Sequence, residues 1–320
     1  MTTPTMDKMI KVYSDAAAIE RMRTGRPNEA TVRNTINGVR RFIQWMNERR
    51  LRLGYEYRDL DDGFPLVSII KPVLIHQYLA DLLKRGFKPV TAMSYLNQLR
   101  QLFARWAQPY YEDRGWKIPP FPPFGKRPKA PRYNRPERSQ LLKLKDWYET
   151  LRNNVSTGAG MELKFESRRR LVGGRELWFA ATMMLEFGMR NSDIMRLTRQ
   201  NFVEYEGRIY LNYVPHKTEN SSGRSVKWPV HPILWEKLNG ELPILDDETF
   251  DALNRQMRSL GFTGSKGAYE LRKICIDHVY QKYGAEMAVS VSGDDIKTII
   301  HYYADPAQPN IGDVRIIDLL

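Results

Sequence analysis

The chain has 320 residues, enough for two domains of ordinary size that each bury a core. Fifty Lys and Arg against 37 Asp and Glu give a formal net charge of +13 and a pI near 9.7, so a polyanion is the expected partner, nucleic acid first. A single cysteine, Cys275, excludes a disulfide framework and any cysteine-based zinc site, and no apolar run approaches the roughly 18 residues needed to span a bilayer.

Residues 1–27 are polar and basic, with a short helix expected around Met9–Met22. Met1-Thr2-Thr3-Pro4 has no signal-peptide character, and a cytoplasmic, DNA-associated protein is expected. Asn28 precedes an amphipathic helix whose apolar face is Val32, Ile36, Val39, Ile43 and Met46. Its other faces carry Arg33, Asn34, Asn37, Arg40, Arg41 and Gln44, with almost no acid before Glu48. Such a face is most often simply solvated, but this one suits a DNA backbone. A second helix runs from Pro72 to Gly86 with the stripe Ile75, Tyr78, Leu79, Leu82 and Leu83. A third begins near Pro89, turns Leu96, Leu99, Phe103 and Trp106 inward, and leaves Lys88, Ser94, Gln98, Gln101 and Arg105 outward. Residues 1–117 therefore read as an all-helical bundle, with Arg33, Asn37, Arg40, Arg41, Lys88, Gln98 and Arg105 as candidate DNA contacts.

The stretch 118–136 is dense in proline, with Lys126, Arg127, Lys129, Arg132 and Arg135 between the rings. Proline at this density forbids helix and favours an extended linker. Lys126 and Arg127 are candidates for lying along phosphates, and a plain solvated linker is the equal alternative.

Residues 137–320 read as a mixed α/β domain. A helix is expected near Leu141–Arg152, followed by a loop rich in Gly and Asn, then a long helix from about Arg175 to Glu186. Gly188-Met189-Arg190 breaks this helix from a second run reaching Leu197, which Asn191 or Ser192 can cap, with Asp193 in its first turn. Arg190 is thereby held at a helix junction, a good place to bind a phosphate. Residues 208–214 and 225–230 form a hairpin with Lys217 at its tip. Helices follow at Pro232–Asn239, Asp247–Leu260, Tyr269–Tyr283 and Asp294–Tyr303, before a tail ending in Ile316-Ile317-Asp318-Leu319-Leu320.

Four features of this half fall in order: Gly188-Met189-Arg190-Asn191-Ser192-Asp193-Ile194, the Lys217-Thr218 hairpin closing on Val230-His231-Pro232, Leu271-Arg272, and Ile296-Lys297-Thr298 leading to Tyr302. Together they resemble the tyrosine recombinases, the phage-integrase-like enzymes, over nearly the whole chain. The resemblance implies a mainly α fold with a small β-sheet: a helical, SAM-like core-binding domain (1–117) and a mixed α/β catalytic domain (137–320). It implies site-specific strand exchange through a 3′-phosphotyrosyl intermediate and a Holliday junction. The enzyme would work as a homo-tetramer on two double-stranded DNA sites, with room for accessory proteins and no membrane. Arg190 and Arg272 would clamp the phosphate, Tyr302 would attack it, and Lys217 would protonate the departing oxygen. The covalent intermediate conserves the bond energy, so no cofactor and no metal is expected. A docking role on a neighbour is one expectation for the apolar tail Ile316–Leu320, and packing on its own chain is the other.

This chain departs from the family pattern at two places. The histidine that usually stands two residues before the Leu-Arg pair is Tyr269, which can still donate a hydrogen bond to a phosphate oxygen. The position before the nucleophile helix is Gly293, which offers only its backbone N–H. His301 adjoins Tyr302 without facing it, Asp193 is expected to orient an arginine, and Tyr303 is a near rival as nucleophile. The alternatives are a weak or inactive DNA-binding protein of the same fold and a type IB topoisomerase. Gly264-Ser265-Lys266-Gly267 lacks Walker A spacing. His231 and the acidic pairs, Asp294-Asp295 among them, are expected to serve structure, turns and caps.

Overall fold

The computed structural model describes residues 4–56, 70–125, 132–157, 163–219, 225–264 and 266–304. The chain divides into two compact units, Met1–Ala130 and Pro131–Leu320.

The first unit is helical. Helix α1 (Met6–Thr24) starts earlier than its sequence periodicity suggests, because Thr5 caps it, and it stops at Gly25 in the left-handed conformation. Helix α2 (Glu29–Arg52) is capped as expected: Asn28 Oδ1 accepts from the Thr31 N–H at 2.8 Å. Helices α3 (Pro72–Lys84) and α4 (Pro89–Gln101) both carry proline in the first turn, where the missing N–H costs nothing. A 3₁₀ turn (Arg105–Ala107) and α5 (Gln108–Glu112) follow, so the helix begun at Pro89 ends short of Phe103 and Trp106. Val39, Phe42, Ile75, Tyr78, Leu96 and Leu99 form the core, with the Phe42, Trp45 and Tyr78 rings mutually packed. Leu83, expected in the apolar stripe, is exposed.

The proline-rich stretch is not a free linker over its described parts. Ile118, Phe121 and Phe124 pack on the core of the first unit, whereas Tyr133 and Arg135 belong to the second. Proline excluded helix there, but it did not exclude burial of the aromatic residues between the rings.

The second unit is built around helix α7 (Gly174–Phe187), which is buried on nearly every face. Its Leu177, Trp178, Met184 and Leu185 meet Leu144 and Tyr148 of α6 (Arg138–Thr157), Leu253 and Met257 of α11 (Asp247–Ser259), and Leu271 of α12 (Gly267–Ser292). Each such side chain contributes about 1.5–3 kcal/mol when fully buried, so α7 anchors the unit and fixes where its C-terminus points. A two-stranded sheet, β1 (Lys164–Glu166) and β2 (Leu171–Gly173), precedes it where a loop was expected. After the single turn α8 (Asn191–Ile194) comes an antiparallel sheet in the order β3 (Phe202–Tyr205), β4 (Arg208–Tyr213), β5 (Val226–Pro229). Leu211 faces Phe202 on one side and Trp228 on the other, so the expected hairpin gains a third strand. The β4–β5 connection contains a helical turn, α9 (His216–Glu219). Helix α10 (Pro232–Leu238) is capped by His231, whose Nδ1 accepts from the Ile233 N–H.

Helix α12 is interrupted at Gly284 (φ 85°, ψ −179°), just after the Tyr283 at which the sequence pattern ends, and a further run carries it to Ser292. Helix α13 (Ile296–Tyr303) then packs Ile299 and Tyr303 on Cys275, Ile276, Val279 and Val291 of α12.

Candidate active site

The site begins where α7 ends. Gly188 adopts the left-handed conformation (φ 55°), and a Cβ there would lie 2.9 Å from Val291 Cγ1 and 3.4 Å from Cys275 Sγ. Only glycine satisfies both the dihedral and the space. The chain leaves this turn with Arg190 extended as the N-cap of α8, so neither Asn191 nor Ser192 caps it, and α8 stops after one turn at Ile194. Asp193 sits in that turn. Its Oδ1 accepts from the His216 N–H at 2.9 Å, and its Oδ2 lies 3.9 Å from Arg190 Nη1. Asp193 therefore ties Arg190 to the turn that bears Lys217, whose side chain lies outside the described part of the structure.

Arg272 comes from the first half of α12 and is only 1% exposed. Its Nη1 donates to the Gly188 carbonyl, and its Nη2 donates to the Ser292 carbonyl and to Asp294 Oδ2, both at 2.9 Å. Burial disfavours the charged guanidinium, but Tyr269, Asp294 and Tyr213 outweigh it and hold the Arg272 pKa above its ordinary value. Arg190 Nη2 donates to the other oxygen of the same carboxylate, Asp294 Oδ1, at 2.7 Å. Two guanidiniums from separate segments thus converge on one carboxylate.

No protein-family model and no curated protein sequence matches the chain. Solved structures do. A lambda integrase dimer bound to a COC′ core site superposes with a TM-score of 0.57 at 13% identity, over 95% of this chain and 97% of that one. The XerH site-specific recombinase bound to difH substrate gives 0.54 at 12%, over 95% of each chain. The Tn1549 transposon integrase in complex with a circular intermediate DNA gives 0.52 at 12%, over 93% and 95%. The chain has the tyrosine recombinase fold.

On this recombinase fold the remaining candidates take up the following places. Tyr269 lies one turn before Arg272, with its ring centroid 5.8 Å from the guanidinium carbon. The Gly293 N–H, the one group that residue could offer a phosphate, is spent on the Val289 carbonyl at 2.9 Å and closes α12. Tyr302 is half-buried, its ring 5.4 Å from His301 and 6.4 Å from Tyr303, and its carbonyl accepts from the Tyr133 N–H at 3.0 Å. Tyr303 is buried and edge-on to Tyr133 at 5.5 Å. Burial pushes its phenol well above the usual value, Arg272 pulls it down, and Tyr269, Asp277 and Asp294 add to the rise, so Tyr303 lies in the electrostatic field of the arginine site.

A strap from the proline-rich stretch holds this helix pair. Arg135 makes a bidentate ion pair with Asp277 of α12, at 2.9 and 3.2 Å, and both side chains are buried.

In the first unit Arg33, Arg40, Arg41, Lys88 and Arg105 are exposed, and Asn37 and Gln98 are half-buried. Arg33, Asn37 and Arg40 line a groove between α1 and α2. Arg41 donates to Gln98 at 3.1 Å and covers the Tyr95 ring at 4.5 Å. Lys126, Arg127 and the tail Ile316–Leu320 lie outside the described residues. Among the described residues no helix is long and apolar enough to cross a membrane.

Two residues of the site escaped sequence reasoning. Tyr213, buried on β4, feels Asp193, Arg272 and Arg190, although burial dominates and raises its pKa. The sequence pairs Asp294 with Asp295 and suggests a turn acid. Asp295 is indeed the cap of α13, accepting from the Thr298 N–H at 2.8 Å, whereas Asp294 bridges the arginines. Adjacency to a cap residue hid it.

Proposed function

We propose that this protein is a site-specific DNA recombinase of the tyrosine class. The observation that carries the reading is the convergence of Arg190 and Arg272 on one anion, on a fold shared with three recombinases solved with DNA. A phosphodiester offers two non-bridging oxygens, and its charge grows toward a five-coordinate transition state. Paired guanidinium donors match that geometry, and removing one such donor typically costs about 3 kcal/mol of barrier.

The phenol oxygen of Tyr302 attacks phosphorus, and its proton passes to solvent. The bond from phosphorus to the 5′ oxygen breaks, and Lys217 supplies the proton that oxygen needs. The product is a 3′-phosphotyrosyl bond with the number of phosphodiester links conserved. A second transesterification by a 5′ hydroxyl of the partner duplex reverses the chemistry and yields a Holliday junction. Four protomers on two sites complete the exchange. Arg33, Arg40 and Arg41 of α2, with Lys88, Arg105, Lys126 and Arg127, bind the DNA backbone.

The test is a nicked suicide duplex built on sites selected from a random pool. A covalent adduct on a denaturing gel, lost in Tyr302→Phe, supports the reading. Loss in Tyr303→Phe instead would move the nucleophile by one position. Binding without any adduct would make the protein a non-cutting DNA binder, and relaxation of supercoils at any sequence would make it a topoisomerase.

A further inference from the structure

The anion seat between the two arginines already holds an anion of the protein's own. Asp294 places one oxygen 2.7 Å from Arg190 Nη2 and the other 2.9 Å from Arg272 Nη2, the spanning contact that two phosphate oxygens would make. With the carboxylate in place Arg272 is only 1% exposed, its remaining bonds going to the Gly188 and Ser292 carbonyls. Arg190 Nη1 is buried and makes no hydrogen bond among the described residues, with Asp193 Oδ2 3.9 Å away.

The position of Asp294 in the chain couples the seat to the nucleophile helix. Gly293 takes φ +62° and turns the backbone sharply between α12 and α13. Asp294 follows it, and Asp295 caps the helix that bears Tyr302 and Tyr303. The joint therefore has a bond to each arginine on one side and the two phenols on the other.

We infer that Asp294 is an internal stand-in for the DNA phosphate: phosphate enters by displacing this carboxylate, and the displacement frees the joint that carries the nucleophile helix. The inference rests on the reading that Arg190 and Arg272 seat a phosphate. It makes the DNA-free protein self-closed, and it makes binding of the phosphate the event that releases α13.

The experiment uses the full chain and inorganic phosphate as probe, by titration calorimetry at fixed ionic strength. Asp294→Asn keeps the shape and one acceptor oxygen while removing the charge. Its phosphate dissociation constant is expected to fall at least about tenfold below that of the wild type, as loss of one charge-assisted competitor implies. Adding Arg190→Ala should cancel the gain. Equal affinity of Asp294→Asn and wild type overturns the inference. If the variant does not fold, the wild type decides: amide exchange over residues 292–296 should quicken at least about tenfold when a short duplex is bound at low salt, and unchanged protection there overturns it. A gain in phosphate affinity with no suicide-substrate adduct would sink the enzyme reading and leave the stand-in. An adduct with no such gain would do the reverse.

Discussion

Gly188→Ala tests how tightly the arginine site is built into the fold. The left-handed backbone costs a residue with a Cβ about 1–2 kcal/mol. The new methyl would lie 2.9 Å from Cγ1 of Val291, a stiff β-branched side chain that is itself buried. Forcing that contact costs about 1–3 kcal/mol more. Reduced freedom of the unfolded chain returns about 0.4–1 kcal/mol. The expected net loss is about 3 kcal/mol, a fall in Tm of roughly 6–12 °C for a unit of this size. Gly207→Ala is the matched control, because Gly207 has φ +72° and open space around it. It retains the dihedral cost and the unfolded-state gain but not the collision, so its loss should be about 1 kcal/mol. Urea unfolding followed by circular dichroism measures both. The Gly188 carbonyl also accepts from Arg272, so the larger loss should come with weaker DNA binding. Equal losses within about 0.5 kcal/mol would show that Val291 yields, and the account of a glycine required by packing would be wrong.

Arg135→Met removes the partner of a buried carboxylate and should cost about 3–5 kcal/mol near neutral pH. Burial already raises the Asp277 pKa in spite of Arg135, and losing Arg135 raises it further. A carboxyl with a raised folded pKa contributes stability below its unfolded value and loses it as pH climbs through the folded one. The deficit of Arg135→Met should therefore shrink on acidification toward about pH 4. A deficit that is flat with pH in denaturant titrations would refute this. Lys217→Ala should slow suicide-substrate cleavage by about 10²–10⁴-fold, and a sulfur in place of the 5′ oxygen, which leaves without a proton, should restore it; failure of that rescue would remove Lys217 as the acid. Burial pushes the Cys275 thiol up to about 12, so iodoacetamide should label it only as fast as the fold opens. Prompt labelling in native buffer would contradict that placement.

Much of the architecture was readable from local signals. The stripes of α2 and α3, the Asn28 cap, the glycine break at 188 and the order of Arg190, Lys217, Arg272 and Tyr302 all act within a few residues, where periodicity and capping chemistry are decisive. The misses share a cause. Strand β3 and the β1–β2 pair are short and half exposed, so they carry no clear alternation. The aromatic residues between the prolines gave no hint of whether they would be buried. Gly293 looked like a backbone donor until its N–H proved to be used in closing α12.

By itself the sequence determined the charge of the protein, its helical segments and the side chains available for phosphate chemistry, since these depend on composition and near neighbours. Only the tertiary structure decided which of them meet. The contacts of Asp294 with Arg190 and Arg272 span 104 and 22 positions. They exist because α7, α12 and the Gly293 turn are locked by a shared core, and packing of that range leaves no mark on the local pattern of residues.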